Sequence, residues 1–197
     1  MERGLTRSLH LSVKQLTTVG MLTGITIFMG LTRLGFIPLP TGVNATIMHL
    51  PVIIGALLEG PLVGSIIGLA FGLFSMYQAF TAPTLLSFWF WNPIIAIVPR
   101  ILIAIISYYT YKILKNKLKT AAIGVAAITG TLINTIGVLS LAYVFYLDKI
   151  AMLLNLDPSA VGKYMLVGVG ITNGIPEAIV SSLITVPIVV AIKKIRK

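Results

Sequence analysis

The sequence predicts an all-α integral membrane protein, a single domain over residues 1–197 built from six transmembrane helices with both termini cytoplasmic. Three observations carry this expectation. Of the 197 residues, 57% are hydrophobic and only 10% are charged, whereas a soluble domain carries about a quarter charged residues and needs them to cover its surface. A chain this apolar would also collapse, which excludes intrinsic disorder. Its apolar runs approach the ~20 residues that a helix needs to cross ~30 Å of hydrocarbon. Finally, the 15 basic side chains, which outnumber 5 acidic ones for a net +10, fall almost entirely in the gaps between those runs. Nucleic-acid binding would place the positive charge on one soluble face, so the charge reads as a topology signal.

The elements follow in order. Residues 16–34 form the first helix; its basic flank resembles a signal peptide, but the run exceeds a 7–15-residue signal core and no A-x-A-like site follows it. After the Pro38-Leu-Pro40 break, residues 45–58 form a short second helix of ~14 residues or ~21 Å, whose start lies within the protein rather than against lipid. Glu59-Gly60-Pro61 is a tight turn into the third helix, 62–80. Ala82-Pro83 precedes the fourth, 93–111, and residues 121–147 form the fifth. Asp157-Pro158 precedes the sixth, 164–192. No internal repeat is visible, which argues against an inverted-repeat carrier.

The charges agree with six spans. Arg3, Arg7 and Lys14, then Lys112, Lys115, Lys117 and Lys119, then Lys193, Lys194, Arg196 and Lys197 fall inside. Arg33, Lys149 and Lys163 fall outside, and Arg100 lies within a span. This bias is what the positive-inside rule demands. The outward connections, 35–44, 81–92 and 148–163, are longer than the inward turn at 59–61, which suggests capture of something from outside. The second contains Phe88-Trp89-Phe90-Trp91, readable either as an interfacial aromatic belt or as a ligand-stacking surface.

No catalytic constellation is present. The chain lacks cysteine, and His10 and His49 alone make neither a metal site nor a nucleophilic dyad. It has no P-loop, no H-E-x-x-H, no G-x-S-x-G and no close carboxylate pair. The chain is expected to be no enzyme and to need no cofactor or metal; uphill transport would need ATP hydrolysis in another subunit.

Polar groups within the spans are the informative residues, because a charge at the bilayer centre costs ~2.5–3.5 kcal/mol even on the lenient insertion scale. Arg100 and Glu177 are the clearest, separated in depth by ~7 Å at 1.5 Å per residue. They either pair with each other or serve a charged ligand. Asn44, His49, Gln78, Asn92, Asn134 and Asn173 form a second polar set, each readable alone as an interhelical hydrogen-bond partner and together as a cavity lining. For His49 a helix-end hydrogen bond is the plainer role. Pro99, Pro176 and Pro187 free backbone carbonyls, which membrane helices tolerate where neighbours satisfy them. Gly20 and Gly24, four apart, make a flat strip for a helix of this chain or of a partner. Gly60, Gly64, Gly68 and Gly72 repeat that spacing and are assigned to internal packing.

The stretch from His49 to Gly68, with Pro51 through Gly64 fitting a P-x-x-x-x-x-x-x-x-G-P-x-x-G run, resembles the helix 2–helix 3 signature of substrate-binding S components of energy-coupling factor (ECF) vitamin transporters. Length, helix count, cytoplasmic ends and basic tail extend the likeness over nearly the whole chain. The resemblance implies a prokaryotic plasma-membrane protein that binds a water-soluble vitamin from outside. It also implies partners: a transmembrane scaffold subunit and two ATPases, with no nucleic acid. Gly20 and Gly24 match the small residues of an A-x-x-x-A scaffold-docking motif. The family's ligand cavity lies in the outer parts of helices 4–6 beneath lids after helices 1 and 3. That map implies Asn44, Trp89, Trp91, Asn92, Arg100, Asn134, Tyr143 and Asn173, with Glu177 deeper and His49 at the start of the signature, as substrate-binding residues. Asn173 matches the helix 6 asparagine of the riboflavin branch, but Pro176 replaces its lysine. A buried Arg100 suits a carboxylate and Asn and Tyr groups suit amide and hydroxyls, so pantothenate is the first expectation, with a pyridoxine-type vitamin, folate and riboflavin open. The alternatives from other classes are a proton-coupled carrier using Glu177 and a membrane assembly protein without ligand.

Overall fold

A computed structural model describes residues 11–37, 45–84 and 86–196. Helix α1, Val13–Leu31, opens with a reciprocal cap: the Gln15 backbone N–H donates to Ser12 Oγ at 3.2 Å, and the Ser12 N–H donates to Gln15 Oε1 at 3.0 Å. That cap starts the helix before the apolar run expected from residue 16, and Arg33, at φ 59°, follows its end. A two-residue hairpin comes next, β1 Phe36–Ile37 antiparallel to β2 Ala45–Thr46, with Phe36 opposite Thr46 and Ile37 opposite Ala45. Residues 45–46, expected at the start of the second helix, are therefore strand.

Helix α2, Leu50–Glu59, begins with Pro51 in its first turn, where the missing N–H costs nothing. Every residue from Leu50 to Leu57 is buried, so this short helix forms the axis of the bundle instead of facing lipid at its start. Gly60 turns the chain at φ 101°, a conformation glycine adopts without penalty. Helix α3, Pro61–Thr81, then runs back with its glycine stripe turned inward. A Cβ on Gly64 would meet Ala56 and Ala104, one on Gly68 the backbone carbonyl of Arg100, and one on Gly72 the carbonyl of Ala96. Those three glycines bring α3 into backbone contact with α4.

A 3₁₀ segment, Ser87–Trp91, leads into α4, Pro93–Leu118, which Asn92 caps through its side chain to the Ile94 N–H at 2.9 Å. Helix α4 exceeds the expected 93–111 because its basic turns remain helical past the apolar stretch. Helix α5, Ala121–Leu154, kinks at Tyr146 (φ −135°, ψ 20°) and ends at left-handed Asn155. A continuous helical rod follows: α6 Pro158–Lys163, a π-helical stretch Tyr164–Ile171, and α7 Thr172–Ile195. Most of the expected loop 148–163 is thus helix, since charged residues there do not break hydrogen-bonded turns that project beyond an apolar zone.

Four helical stretches, those of α3, α4, α5 and the α6–α7 rod, are long and apolar enough to cross a membrane. At one end of the bundle Glu59 joins three elements, with Arg196 Nη1 at 2.5 Å and Lys14 Nζ at 3.8 Å. This is the basic end. The hairpin, the 3₁₀ segment and the α5–α6 junction form the other.

The close α3–α4 approach yields the first prediction. Gly68→Leu places side-chain atoms against backbone that has no rotamer escape, and overpacking costs about 1–3 kcal/mol. A lowered melting temperature in detergent is expected, while Gly20→Leu, whose Cβ meets nothing within 4 Å, leaves the melt unchanged.

Candidate functional site

Arg100 is placed by its own helix. Pro99 has no N–H to give the Ile95 carbonyl one turn earlier, and Arg100 Nη1 donates to that carbonyl instead, at 3.1 Å. A proline that frees an acceptor beside an arginine that fills it is a local device written in adjacent residues. The guanidinium lies between two aromatic faces, Phe90 of the 3₁₀ segment at 4.7 Å and Phe71 of α3 at 5.2 Å. Such cation–π contacts strengthen when desolvated, and Arg100 is only 4% exposed. Its Nε has no protein hydrogen-bond partner.

Above this guanidinium lies a cavity of about 220 Å³ bounded by α1's end, the hairpin, α3, the 3₁₀ segment and α4. Arg33 and Arg100 both line it, with no acidic side chain among the described residues of its walls; Thr46, Ser75, Gln78 and Ser87 supply neutral polar groups. All four already engage backbone: Gln78 Nε2 donates to the Gly30 carbonyl at 2.9 Å, Ser75 Oγ to the Phe71 carbonyl at 3.0 Å and Ser87 Oγ to the Thr84 carbonyl at 2.9 Å, while Thr46 Oγ1 accepts the Met48 N–H at 3.4 Å. The cavity therefore presents net positive charge beneath a strand.

Glu177 does a different job. Its Oε1 accepts the Thr46 backbone N–H at 2.6 Å, across 131 residues of sequence. Among the described residues the ion pairs are those of Glu59, so Arg100 and Glu177 do not form the salt bridge that their similar depth allowed. Glu177, itself 4% exposed, fastens the hairpin to α7, and Arg100 faces the space under that hairpin.

The remaining expected residues separate. Asn44 lies outside the described residues. His49 is fully buried, and its Nε2 lies 2.8 Å from Thr131 Oγ1, joining α2 to α5 as a helix-end hydrogen bond. Trp89 packs edge-on against Phe88 in an apolar cluster with α4, α5 and α6. Trp91 is 46% exposed, stacks on Phe80 and donates its indole N–H to the Ala79 carbonyl at 3.3 Å. Neither tryptophan lines the cavity; Phe90 does, because three residues per turn in a 3₁₀ segment point successive side chains in different directions. Asn92 is a helix cap, and half-exposed Tyr143 lies near Gly162. Asn134 and Asn173 are buried with Oδ1 atoms that lack protein partners, a pattern that calls for a functional explanation, although neither lines this cavity. Of the nine expected residues that are described, Arg100 alone lines the cavity, together with Gln78 of the wider polar set. Sequence reading passed over Phe71 and Thr46, whose signal was their register relative to Arg100 and Glu177, named Phe90 only within its aromatic cluster, and placed Arg33 in a loop without a role.

The fold defines the class: a multi-pass, all-α membrane protein with a small polar cavity under a hairpin. Residues 14–189 match the family described as ECF transporter, substrate-specific component, and the chain belongs to that family. It is similar to the pantothenic acid transporter PanT of Lactococcus lactis subsp. cremoris, at 34% identity over 171 residues, covering 80% of this chain and 82% of that protein. It also resembles the pantothenate transporter PanT of Leuconostoc mesenteroides subsp. mesenteroides, at 37% identity over 119 residues, covering 56% of this chain and 58% of the relative. The protein is thus a substrate-specific transporter component of the prokaryotic plasma membrane.

Removing a buried charge-assisted hydrogen bond is worth about 1.5–3 kcal/mol, and this one restrains a strand. Glu177→Ala is expected to accelerate amide exchange of Thr46 and its neighbours roughly tenfold or more, whereas Glu177→Gln, which keeps a carbonyl acceptor, changes it far less. Hydrogen–deuterium exchange with peptide resolution across residues 45–49 reads the difference; equal exchange in both variants would remove the latch.

Proposed function

We propose that this chain captures pantothenate from outside the cell and delivers it through an ATP-driven ECF complex, with hydrolysis in two ATPase subunits that it contacts through a scaffold subunit. The observation that carries the substrate is the cavity with two arginines and, among the described residues of its walls, no acid. A single carboxylate meets that charge, and Arg100 is the residue suited to bind it, held ready by Ile95, Phe71 and Phe90. The names of the two relatives point the same way. At about 220 Å³ the space is below the roughly 300–1,000 Å³ of sites for drug-sized ligands, which favours a short acyclic acid over folate or riboflavin. A pyridoxine-type vitamin offers no carboxylate. The hydrogen bond of Glu177 to Thr46 favours a latch over the proton site of an independent carrier.

In this reading the chain spans the membrane six times with both termini cytoplasmic, and the hairpin closes over bound vitamin. Arg100 reads the carboxylate, and neutral polar groups of the same walls, Gln78 among them, serve the amide and hydroxyls. Gly20 and Gly24 are exposed on α1, with open space where side chains would project. This supports their use for an external helix, the scaffold, over packing within the chain.

Two predictions test the reading. Arg100→Ala is expected to weaken pantothenate binding by about 2–5 kcal/mol, the usual loss when a buried charged pair is truncated, in calorimetry on the isolated protein. The corresponding alcohol, with CH₂OH replacing the carboxylate, should bind the variant and the parent alike; equal losses for both ligands would make Arg100 a folding residue. Gly20→Leu and Gly24→Leu should retain binding and lose uptake in vesicles containing scaffold and ATPases. Accumulation by vesicles containing this chain alone would overturn the reading.

A further inference from the structure

At the basic end, α4, α5 and α7 border a second cavity, of about 420 Å³, into which Lys115, Lys119, Lys193 and Lys194 converge beside Tyr111. Four ammonium groups around one space repel one another at separations shorter than the ~8 Å screening length of physiological salt. Among the described residues the carboxylate at this end is Glu59, and it is engaged by Lys14 and Arg196. None of the four lysines has a carboxylate within 4 Å among the described residues.

Helix electrostatics accounts for part of this arrangement, since Lys115 closes α4 and Lys193 and Lys194 close α7, where cations offset the carbonyl ends. It does not account for Lys119, which sits beyond α4 at φ 47° and ψ −116°, a conformation that glycine adopts freely and a side-chain-bearing residue does not. Lysine at that corner points to use of its charge. Lys193 is already positioned: its Nζ donates to Tyr111 Oη at 2.8 Å and lies 3.9 Å from that ring's centroid. An ammonium has three donors, so two are left for another acceptor.

The surroundings identify that acceptor's source. Tyr108, Tyr109 and Tyr111 fall within one turn of α4, and tyrosines at such a level mark the membrane–water interface. The cavity's other walls include Ile123 and Val190, and the face of α7 that carries Val190 continues apolar through exposed Leu183 and Ile179, seven and eleven residues earlier. A soluble anion has no use for that apolar continuation; a lipid has, because its headgroup and chains need both surfaces at once. We propose that this cavity binds the headgroup phosphate of an anionic phospholipid, with the lysines around the phosphate and the acyl chains along α7. Basic pockets between transmembrane helices recognise such headgroups by the same chemistry.

The test uses the purified full chain in native mass spectrometry with phosphatidylglycerol, phosphatidylcholine or inorganic phosphate. Phosphatidylglycerol is expected to be retained at least tenfold over phosphatidylcholine, and inorganic phosphate in excess should not displace it. Replacing Lys115, Lys119, Lys193 and Lys194 together by Gln should reduce that preference to near unity. Replacing Lys112, Lys117, Lys149 and Lys163, which removes the same charge elsewhere, should change it less than twofold. Equal loss in both quadruple variants would make the effect one of net charge, and displacement by phosphate would make this a free-anion site; either result overturns the proposal. Should the cavity variant not fold, a photoactivatable phosphatidylglycerol on the unaltered protein decides: labels on residues 111–123 and 188–195 support the site, and labels confined elsewhere refute it.

Discussion

The burial of one guanidinium constrains the rest of this structure. Arg100 is 4% exposed within an otherwise apolar helix, and a charge so placed must be compensated from every side. Pro99 supplies a free carbonyl from behind, through Ile95, and two aromatic faces supply the flanks. Each compensation requires something of a different element. Helix α3 must come near enough to present Phe71, and the connection after it must coil so that Phe90 faces inward. What the protein leaves uncompensated is the Nε side and the cavity above it, and there a ligand's charge has most to gain.

Small residues make that proximity possible. Gly64 lets α3 pack on Ala56 and Ala104, and Gly68 and Gly72 let it meet the backbone of α4, so Phe71, one turn beyond Gly68, reaches the guanidinium. Helix α2 is buried along nearly its whole length and serves as the post around which α3, α4, α5 and α7 stand. His49 braces the top of that post through Thr131. Helix α1 stays at the periphery, its two outward glycines exposed, which leaves its surface available without disturbing the cavity.

Arg100 and Glu177 are coupled through the hairpin and not through each other. Glu177 grips the strand that covers the cavity, and Arg100 lies within it. A direct salt bridge would neutralise both and leave no field for an anion. With Glu177 spent on a backbone N–H, the positive potential of Arg33 and Arg100 remains directed at the cavity. The tether of the hairpin and the charge in the cavity thereby fall to separate residues on separate helices.

Composition and periodicity were enough to determine an apolar helical bundle, its punctuation at Pro, Gly and charge, the buried start of its second helix and the importance of Arg100 and Glu177. Those conclusions rest on the solvent: a bilayer rejects charge and unsatisfied backbone wherever the partners lie, so single residues betray themselves. Partnerships were not legible in that way. Glu177 bonds to Thr46, far away in sequence, and the expected helix over 45–46 yields to a strand because pairing with Phe36 and Ile37 satisfies its backbone. Trp89 and Trp91 were the expected aromatic residues of the site, yet the turn of a 3₁₀ segment brings Phe90 to the cavity wall and to Arg100. Depth in the membrane can be counted along a helix, but the face a side chain presents depends on helix rotation, and packing against neighbours far away in sequence decides that rotation.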